Sequence, residues 1–158
     1  MSSLAPRRPR ANRRGVPFDR KKQGELAELA FLHTAAGLGL IVSKPYGESA
    51  RYDFMVDNGR DRWRVQVKSV TACHDNAYRI SSGSGHSSKR PYTARDIDFL
   101  AAYVFPHDAW YIIPVRALRR VKTLSLAPHF PSRRRFEPFR EAWKLLESRR
   151  DGITSPAL

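Results

Sequence analysis

The sequence predicts an α/β fold in which one long helix packs on a mixed sheet, and three features lead there. From Asp19 to Gly37 apolar residues recur at helical spacing; from Arg51 to Val70 two strand-like runs flank an Asn-Gly pair; from Asp98 to Pro114 two further apolar runs flank Pro106-His107-Asp108. Helical periodicity followed by short runs rich in valine, isoleucine and aromatic residues between turn signals is the pattern of a helix laid against a sheet.

A chain of 158 residues fits one domain, since domains cluster at about 100–150 residues. Its charge is lopsided. With 29 Lys and Arg against 15 Asp and Glu, a formal net charge of +14 calls for a polyanionic partner. Nucleic acid is the commonest, because each cation that neutralises a phosphate releases a counterion; ribosomal RNA or an anionic membrane surface would satisfy the same charge. There is no run of about 18 apolar residues, and the Arg-rich start lacks the apolar segment of a secretory signal. A soluble, cytoplasmic chain without a membrane span is expected. Cys73, the only cysteine, excludes an internal disulfide and a cysteine-based zinc site, and is read as a half-buried thiol. The five histidines show no metal-ligand spacing.

Residues 1–18, rich in Arg, Pro and Ser, are expected to form a disordered basic arm that adds nonspecific phosphate affinity. Residues 19–126 then form the core. Asp19 is placed to cap the first helix, whose apolar stripe is read as Leu26, Leu29, Ala30, Leu32 and Ala36, ending at Gly37. A short strand, Leu38 to Val42, leads to Lys44-Pro45 and a loop over Tyr46 to Ala50. After the Arg51–Val70 hairpin, the Ser/Gly/His stretch Ser81 to Ser88 reads as a mobile loop; it lacks the Lys-Ser/Thr ending of a nucleotide-binding loop. Val121 to Leu126 is an expected edge strand. Residues 127–158 form a basic extension with a helix over Glu137 to Ser148, docked through Phe139, Trp143 and Leu146. Trp63, Trp110 and Trp143 are read as core residues.

The hairpin carries the chemistry, and its register follows from parity. Side chains alternate along a strand, so an even loop, either Asn58-Gly59 or the four residues Asn58 to Asp61, puts Tyr52, Phe54 and Val56 on the same face as Trp63, Val65 and Val67. The opposite face then collects Asp53, Met55, Arg64, Gln66 and Lys68. An odd loop scrambles both faces. Burying the six apolar residues, each contributing about 1.5–3 kcal/mol when fully buried, selects the even register and gathers a carboxylate, an amide and an ammonium group. Such a trio suits phosphodiester hydrolysis, in which oxygens hold a hard divalent cation and an ammonium offsets charge on the phosphorane. An exposed cross-strand pair of Asp53 with Lys68 is the blander reading of the same residues.

The run Gly47-Glu-Ser-Ala-Arg51-Tyr52-Asp53-Phe54, followed by Val65-Gln66-Val67-Lys68-Ser69, resembles the D…QxK variant of the PD-(D/E)XK nuclease signature, in particular the group I intron homing endonucleases of that superfamily. Tyr92-Thr-Ala-Arg95-Asp96-Ile-Asp98-Phe99 and Ala109-Trp110-Tyr111-Ile112-Ile113-Pro114 extend the resemblance, which covers residues 22 to 115. Arg-Tyr stands before Asp53 where the motif has proline, and Gln66 stands where the motif has an acid. The resemblance implies a restriction-endonuclease-like core with a mixed β-sheet flanked by helices, Mg²⁺ as cofactor, and double-stranded DNA as substrate. Lys22-Gln-Gly24-Glu25-Leu-Ala-Glu28 matches the family's helix pattern, so it implies Glu28 as a further metal-holding glutamate, with Glu25 one turn earlier as the fallback. The implied catalytic set is Glu28, Asp53, Gln66 and Lys68, with metal held by the first three.

Arg51 and Arg95 are candidates to hold the scissile phosphate, although Arg51 is equally placed to pair with Glu48. Arg119, Arg120 and Lys122, with Arg133, Arg134 and Arg135, are candidate phosphate contacts, since backbone contacts dominate such interfaces. Cutting both strands with one site per chain implies a homodimer or homotetramer. Two other readings stand beside the endonuclease: a catalytically inactive nucleic-acid-binding protein, and a junction-resolving enzyme of the same superfamily.

Overall fold

The computed structural model describes residues 19–84, 90–130 and 134–148. The expected basic arm and Arg133 lie outside them. In chain order the elements are helix α1 (Arg20–Gly37), strands β1 (Ile41–Ser43), β2 (Phe54–Asp57), β3 (Arg62–Val70), β4 (Cys73–His74), β5 (Ala77–Ser81), β6 (Gly83–Ser84), β7 (Arg90–Pro91), β8 (Phe99–Val104), β9 (Ala109–Pro114) and β10 (Thr123–Leu126), and a short helix α2 (Lys144–Glu147).

Five strands form the main sheet in the order β1-β2-β3-β8-β9. Only the β3–β8 pair is parallel, so the sheet is mixed, as expected. α1 covers one face, and a second, three-stranded sheet, β10-β5-β4, covers the other. Burial on both faces explains why β8 and β9 are continuous apolar runs with every residue buried. Alternate residues of β8 divide between two cores: Phe99, Ala101 and Tyr103 face α1, whereas Leu100, Ala102 and Val104 meet Tyr78, Ile80, Leu124 and Leu126 of the second sheet. The expected edge strand near residue 121 is β10, and it edges this second sheet rather than the main one.

Asp19 caps α1 as expected, its Oδ1 accepting from the Lys22 N–H at 2.6 Å. The buried stripe differs from the expected one. Ala27, Phe31 and Ala35 face the sheet, while Leu29 and Leu32 are 60% and 37% exposed. Small residues at 27 and 35 let the helix approach closely, and Phe31 stacks on Phe54 and meets Trp110 and Trp143 with ring centroids 5.4–5.7 Å apart. One aromatic ring in a cluster outweighs the leucines on the neighbouring face. The left-handed residue after the helix is Gly39, at φ +82°, two residues beyond the expected stop.

The C-terminal helix expected over Glu137 to Ser148 is instead a 3-10 turn at Glu137–Phe139 and the single turn of α2. Between them the chain straightens to cover the exposed edge of β9. Glu141 donates its N–H to the Trp110 carbonyl at 2.8 Å, and its carboxylate accepts from the Trp110 N–H at 2.7 Å and from Trp143 Nε1 at 2.9 Å. Satisfying an open sheet edge takes precedence over helical periodicity here. Trp143 and Leu146 are nevertheless buried in the first core, and Phe139 packs on the second. Of the expected loop at Ser81 to Ser88, Ser81 ends β5 and Gly83–Ser84 pair with Arg90–Pro91; residues 85–89 lie outside the described residues. Cys73 is exposed, not half-buried, because β4 is the outer strand of the second sheet.

Candidate active site

The hairpin has the even register. Asp57 pairs with Arg62, leaving a four-residue loop, and Phe54, Val56, Trp63, Val65 and Val67 share one buried face. The loop is self-supporting: Asn58 Oδ1 accepts from the N–H groups of Arg60 and Asp61, and Gly59 takes φ +84°. Tyr52 departs from the expected face. The ladder ends with the Asp53 N–H donating to the Val65 carbonyl at 2.9 Å, and beyond it Tyr52 turns to the second core.

That early end of β2 places the central carboxylate. The N–H of Val67 faces a partner strand that has run out, and Asp53 Oδ2 accepts it at 2.7 Å. The same oxygen accepts from Gln66 Nε2 at 2.5 Å. The carboxyl of Asp53 is pushed up to about 6, by burial first and also by the negative charge of Glu28; the Val67 and Gln66 hydrogen bonds and the Lys44 charge work against the rise. Glu28 reaches the site from α1, with its Oε2 2.5 Å from Lys44 Nζ. Glu25 pairs with Lys22 at 3.3 Å in solvent, so of the two glutamates Glu28 is the one whose charge is felt at Asp53.

Lys68 Nζ donates to the Gly83 carbonyl at 3.2 Å and sits 5.7 Å from the centre of the Tyr92 ring. Arg51 stands 5.4 Å from that ring. Tyr92 is therefore flanked by two cations. Its hydroxyl is pushed up to about 12, by burial and then by the charge of Asp53, and it stays protonated. Arg51 pairs with Asp96 at 3.0 Å and donates to Ser84 Oγ at 2.6 Å; the alternative pairing with Glu48 is not formed. Asp96 also accepts from Arg90 at 2.7 Å and from the N–H and hydroxyl of Thr93 at 2.9 and 3.0 Å. Arg95 is exposed, and what it contributes is its carbonyl, which accepts from Arg64 at 2.5 Å. Arg64 is itself forked onto Asp98.

Tyr92, Asp96, Lys44 and Ser84 are thus neighbours of the site to which the sequence assigned no role. Asp96 is the one with a structural consequence. Removing one partner of a buried ion pair costs about 3–5 kcal/mol because the other charge is left uncompensated. Asp96→Ala is accordingly expected to lower the urea midpoint strongly, and Asp96→Asn, which keeps an acceptor for Thr93, to lower it less. Equal midpoints for Asp96→Ala and the wild type would show that Asp96 does not anchor Arg51 and Arg90.

Among the described residues no three His, Cys, Asp or Glu side chains cluster as a metal site. Asp53 and Gln66 are in contact, and the charge of Glu28 is felt at Asp53, whose carboxyl is raised chiefly by burial. Such an oxygen donor set fits a hard cation such as Mg²⁺. The candidate phosphate contacts Arg119, Arg120, Lys122 and Arg135 are exposed and Arg134 half-buried, around the segments that flank β10.

No curated protein matches the sequence. A family model described as PD-(D/E)XK endonuclease matches residues 18–146. Among solved structures, the bacterial homing endonuclease I-Ssp6803I is similar over 87% of this chain and 98% of its own, with a TM-score of 0.74 and 27% identity. The matched stretch contains β2, β3 and the α1 glutamates, and the chain belongs to the PD-(D/E)XK endonuclease family, which makes it a nuclease.

Proposed function

We propose that the protein is a Mg²⁺-dependent endonuclease that hydrolyses phosphodiester bonds of double-stranded DNA, with Glu28, Asp53, Gln66 and Lys68 as its catalytic residues. The observation that carries this reading is the half-buried Asp53 carboxyl, crowded by Glu28 and braced by Gln66 and the Val67 N–H. Bound there, a divalent cation supplies Lewis acidity to the phosphate and lowers the pKa of water. Glu28 and Asp53 would hold it, with the Gln66 amide as the neutral oxygen donor. Lys68, fixed by the Gly83 carbonyl, orients the attacking water and offsets charge on the phosphorane. Arg51, fixed by Asp96, holds the scissile phosphate. One site per chain implies that two copies or more act together on a duplex. A chain working on DNA, and having no helix among the described residues long and apolar enough to cross a membrane, is assigned to the intracellular space.

The neutral Gln66 favours a second reading, a DNA-binding protein that has lost catalysis. Incubating the purified chain with supercoiled plasmid, linear duplex, single strands and a four-way junction, in Mg²⁺ or in EDTA, separates the readings. Mg²⁺-dependent cutting of duplex is expected, with none in EDTA. Binding without any cutting supports the silent protein; preference for the junction supports a resolving enzyme; cutting in EDTA overturns the metal mechanism.

A further inference from the structure

Five non-glycine residues among those described have positive φ: Asp75, Asn76, Asp108, Arg120 and Glu141. Asp and Asn visit this region readily, because their short polar side chains bond locally. Glu141 is held there by its three bonds to Trp110 and Trp143. Arg120, at φ 62°, follows Arg119 (φ −56°, ψ 127°) in a tight turn closed by the Val121 N–H donating to the Leu118 carbonyl at 2.9 Å, while its guanidinium makes no hydrogen bond or ion pair within the described residues.

Arg120 lines a cavity of about 440 Å³ together with Lys122, Arg134 and Arg135, with Thr123 and Ser125 beside them and no carboxylate among the described residues of its wall. Two of these cations are held in place. Arg134 Nη1 donates to Ser125 Oγ at 3.4 Å; Arg135 donates to the Ala117 carbonyl at 3.0 Å and lies 5.4 Å from the centre of the Phe136 ring. Four cations around one hollow without a counter-charge repel one another, and an oxyanion relieves the repulsion.

The hollow has a neighbour on the side of Gly83. A second cavity, of about 360 Å³, is lined by Ser82, Gly83 and Pro91 and shares Lys122 and Thr123 with the first. The Gly83 carbonyl in its wall is the acceptor of Lys68. Gly83 thus contacts Lys68 and also lines the cavity that shares Lys122 and Thr123 with the basic hollow, an order of residues suited to a continuous polyanion and not required by a free phosphate ion.

We propose that the cavity of Arg120, Lys122, Arg134 and Arg135 is a second phosphate-binding site, seating a backbone phosphate of the DNA beyond the one that is cut. The identity of the ligand rests on the nuclease reading above; the cavity does not.

The test compares the wild type with Arg120→Gly and with the triple variant Arg120→Gly/Lys122→Ala/Arg134→Ala. Duplex affinity is followed by fluorescence anisotropy across a salt series, and thermal unfolding is measured in parallel. Each phosphate contact adds about 0.9 to the slope of log K against log salt, so the triple variant should lose about 1 from the slope and bind about tenfold more weakly at fixed salt. Arg120→Gly should bind more weakly while melting no lower than the wild type, because glycine adopts positive φ without strain. Unchanged affinity and slope in both variants overturn the proposal. So does displacement of inorganic phosphate by the triple substitution with no change in DNA affinity, which would make the cavity a small-anion site. A wild type that binds but never cuts DNA defeats the nuclease reading alone, leaving the slope difference to decide the cavity; a wild type that cuts, with variants of unchanged slope, defeats the cavity alone.

Discussion

Asp53→Asn is expected to melt higher than the wild type at pH 8 and to cut DNA at least about a thousandfold more slowly. The two effects share one cause. The folded-state carboxyl titrates at about 6 against an ordinary 3.8, chiefly because burial disfavours its charge. Between those values the folded protein keeps a proton that the unfolded chain has released, so stability falls as pH rises through the window and stays lower above it. Below pH 4 both states are protonated, and the variant should gain nothing. A tenfold change in a proton's affinity corresponds to about 1.4 kcal/mol. With Asp53 still partly solvated, a discounted gain of about 1–2 kcal/mol for the neutral amide is expected at pH 8, a few degrees in Tm for a chain of this size. In the proposed mechanism the same carboxylate holds the divalent cation, so its loss is expected to remove several kcal/mol of transition-state stabilisation, each 1.4 kcal/mol being a factor of about ten in rate. Melting curves from pH 4 to pH 8, with and without Mg²⁺, check the account. Mg²⁺ should raise the wild-type melting temperature at pH 8 and leave that of the variant in place. A variant that melts lower at pH 8, or that cuts at the wild-type rate, contradicts it.

The hairpin is legible in the sequence because parity is a local property: loop length and alternation decide which side chains share a face, and both are written in residues 51 to 70. What parity does not determine is where β2 stops. Tyr52 belongs to the apolar face only if the strand runs its full length, yet the early end of that strand is what swings Asp53 onto the Val67 N–H. The second sheet escapes the sequence reading although its turn has a signal: Asp75 and Asn76 both take positive φ between the paired residues His74 and Ala77, the two-residue hairpin geometry that Asn-Gly also serves. Arg51 comes to Tyr92 and Asp96 from a separate segment, and no local pattern announces an ion pair across 45 residues. The same holds for Arg120 and Arg134, which the sequence shows as two separate basic runs and the fold brings to one hollow.

The segment that closes the described chain is expected to be part of the folding unit, against the appended extension that its composition suggests. Trp143→Ala should cost about 3–5 kcal/mol, as large-to-small replacements of buried aromatic residues do, and a chain ending at Leu126 should not fold. The reason is where the segment lies. Trp143 meets Phe31 and Trp110 with ring centroids 5.7 and 5.6 Å apart, and Leu146 is fully buried. The backbone of the same segment serves the hairpin: the Leu146 carbonyl accepts from Trp63 Nε1 at 3.0 Å and from Asn58 Nδ2 at 2.9 Å, and Asn58 also donates to the Ser148 carbonyl at 3.1 Å. Losing it removes the Leu146 acceptor of a buried indole N–H and the two acceptors of the turn amide, and a buried donor left unsatisfied costs ~1–3 kcal/mol. The turn fixes the register that brings Asp53 to Gln66, so conditions that keep Trp143→Ala folded should still reveal a slower nuclease. Circular dichroism during urea unfolding, with cleavage assayed below the midpoint, measures both. Residues 19–126 unfolding at the wild-type midpoint would show that the C-terminal segment only rests on a core complete without it.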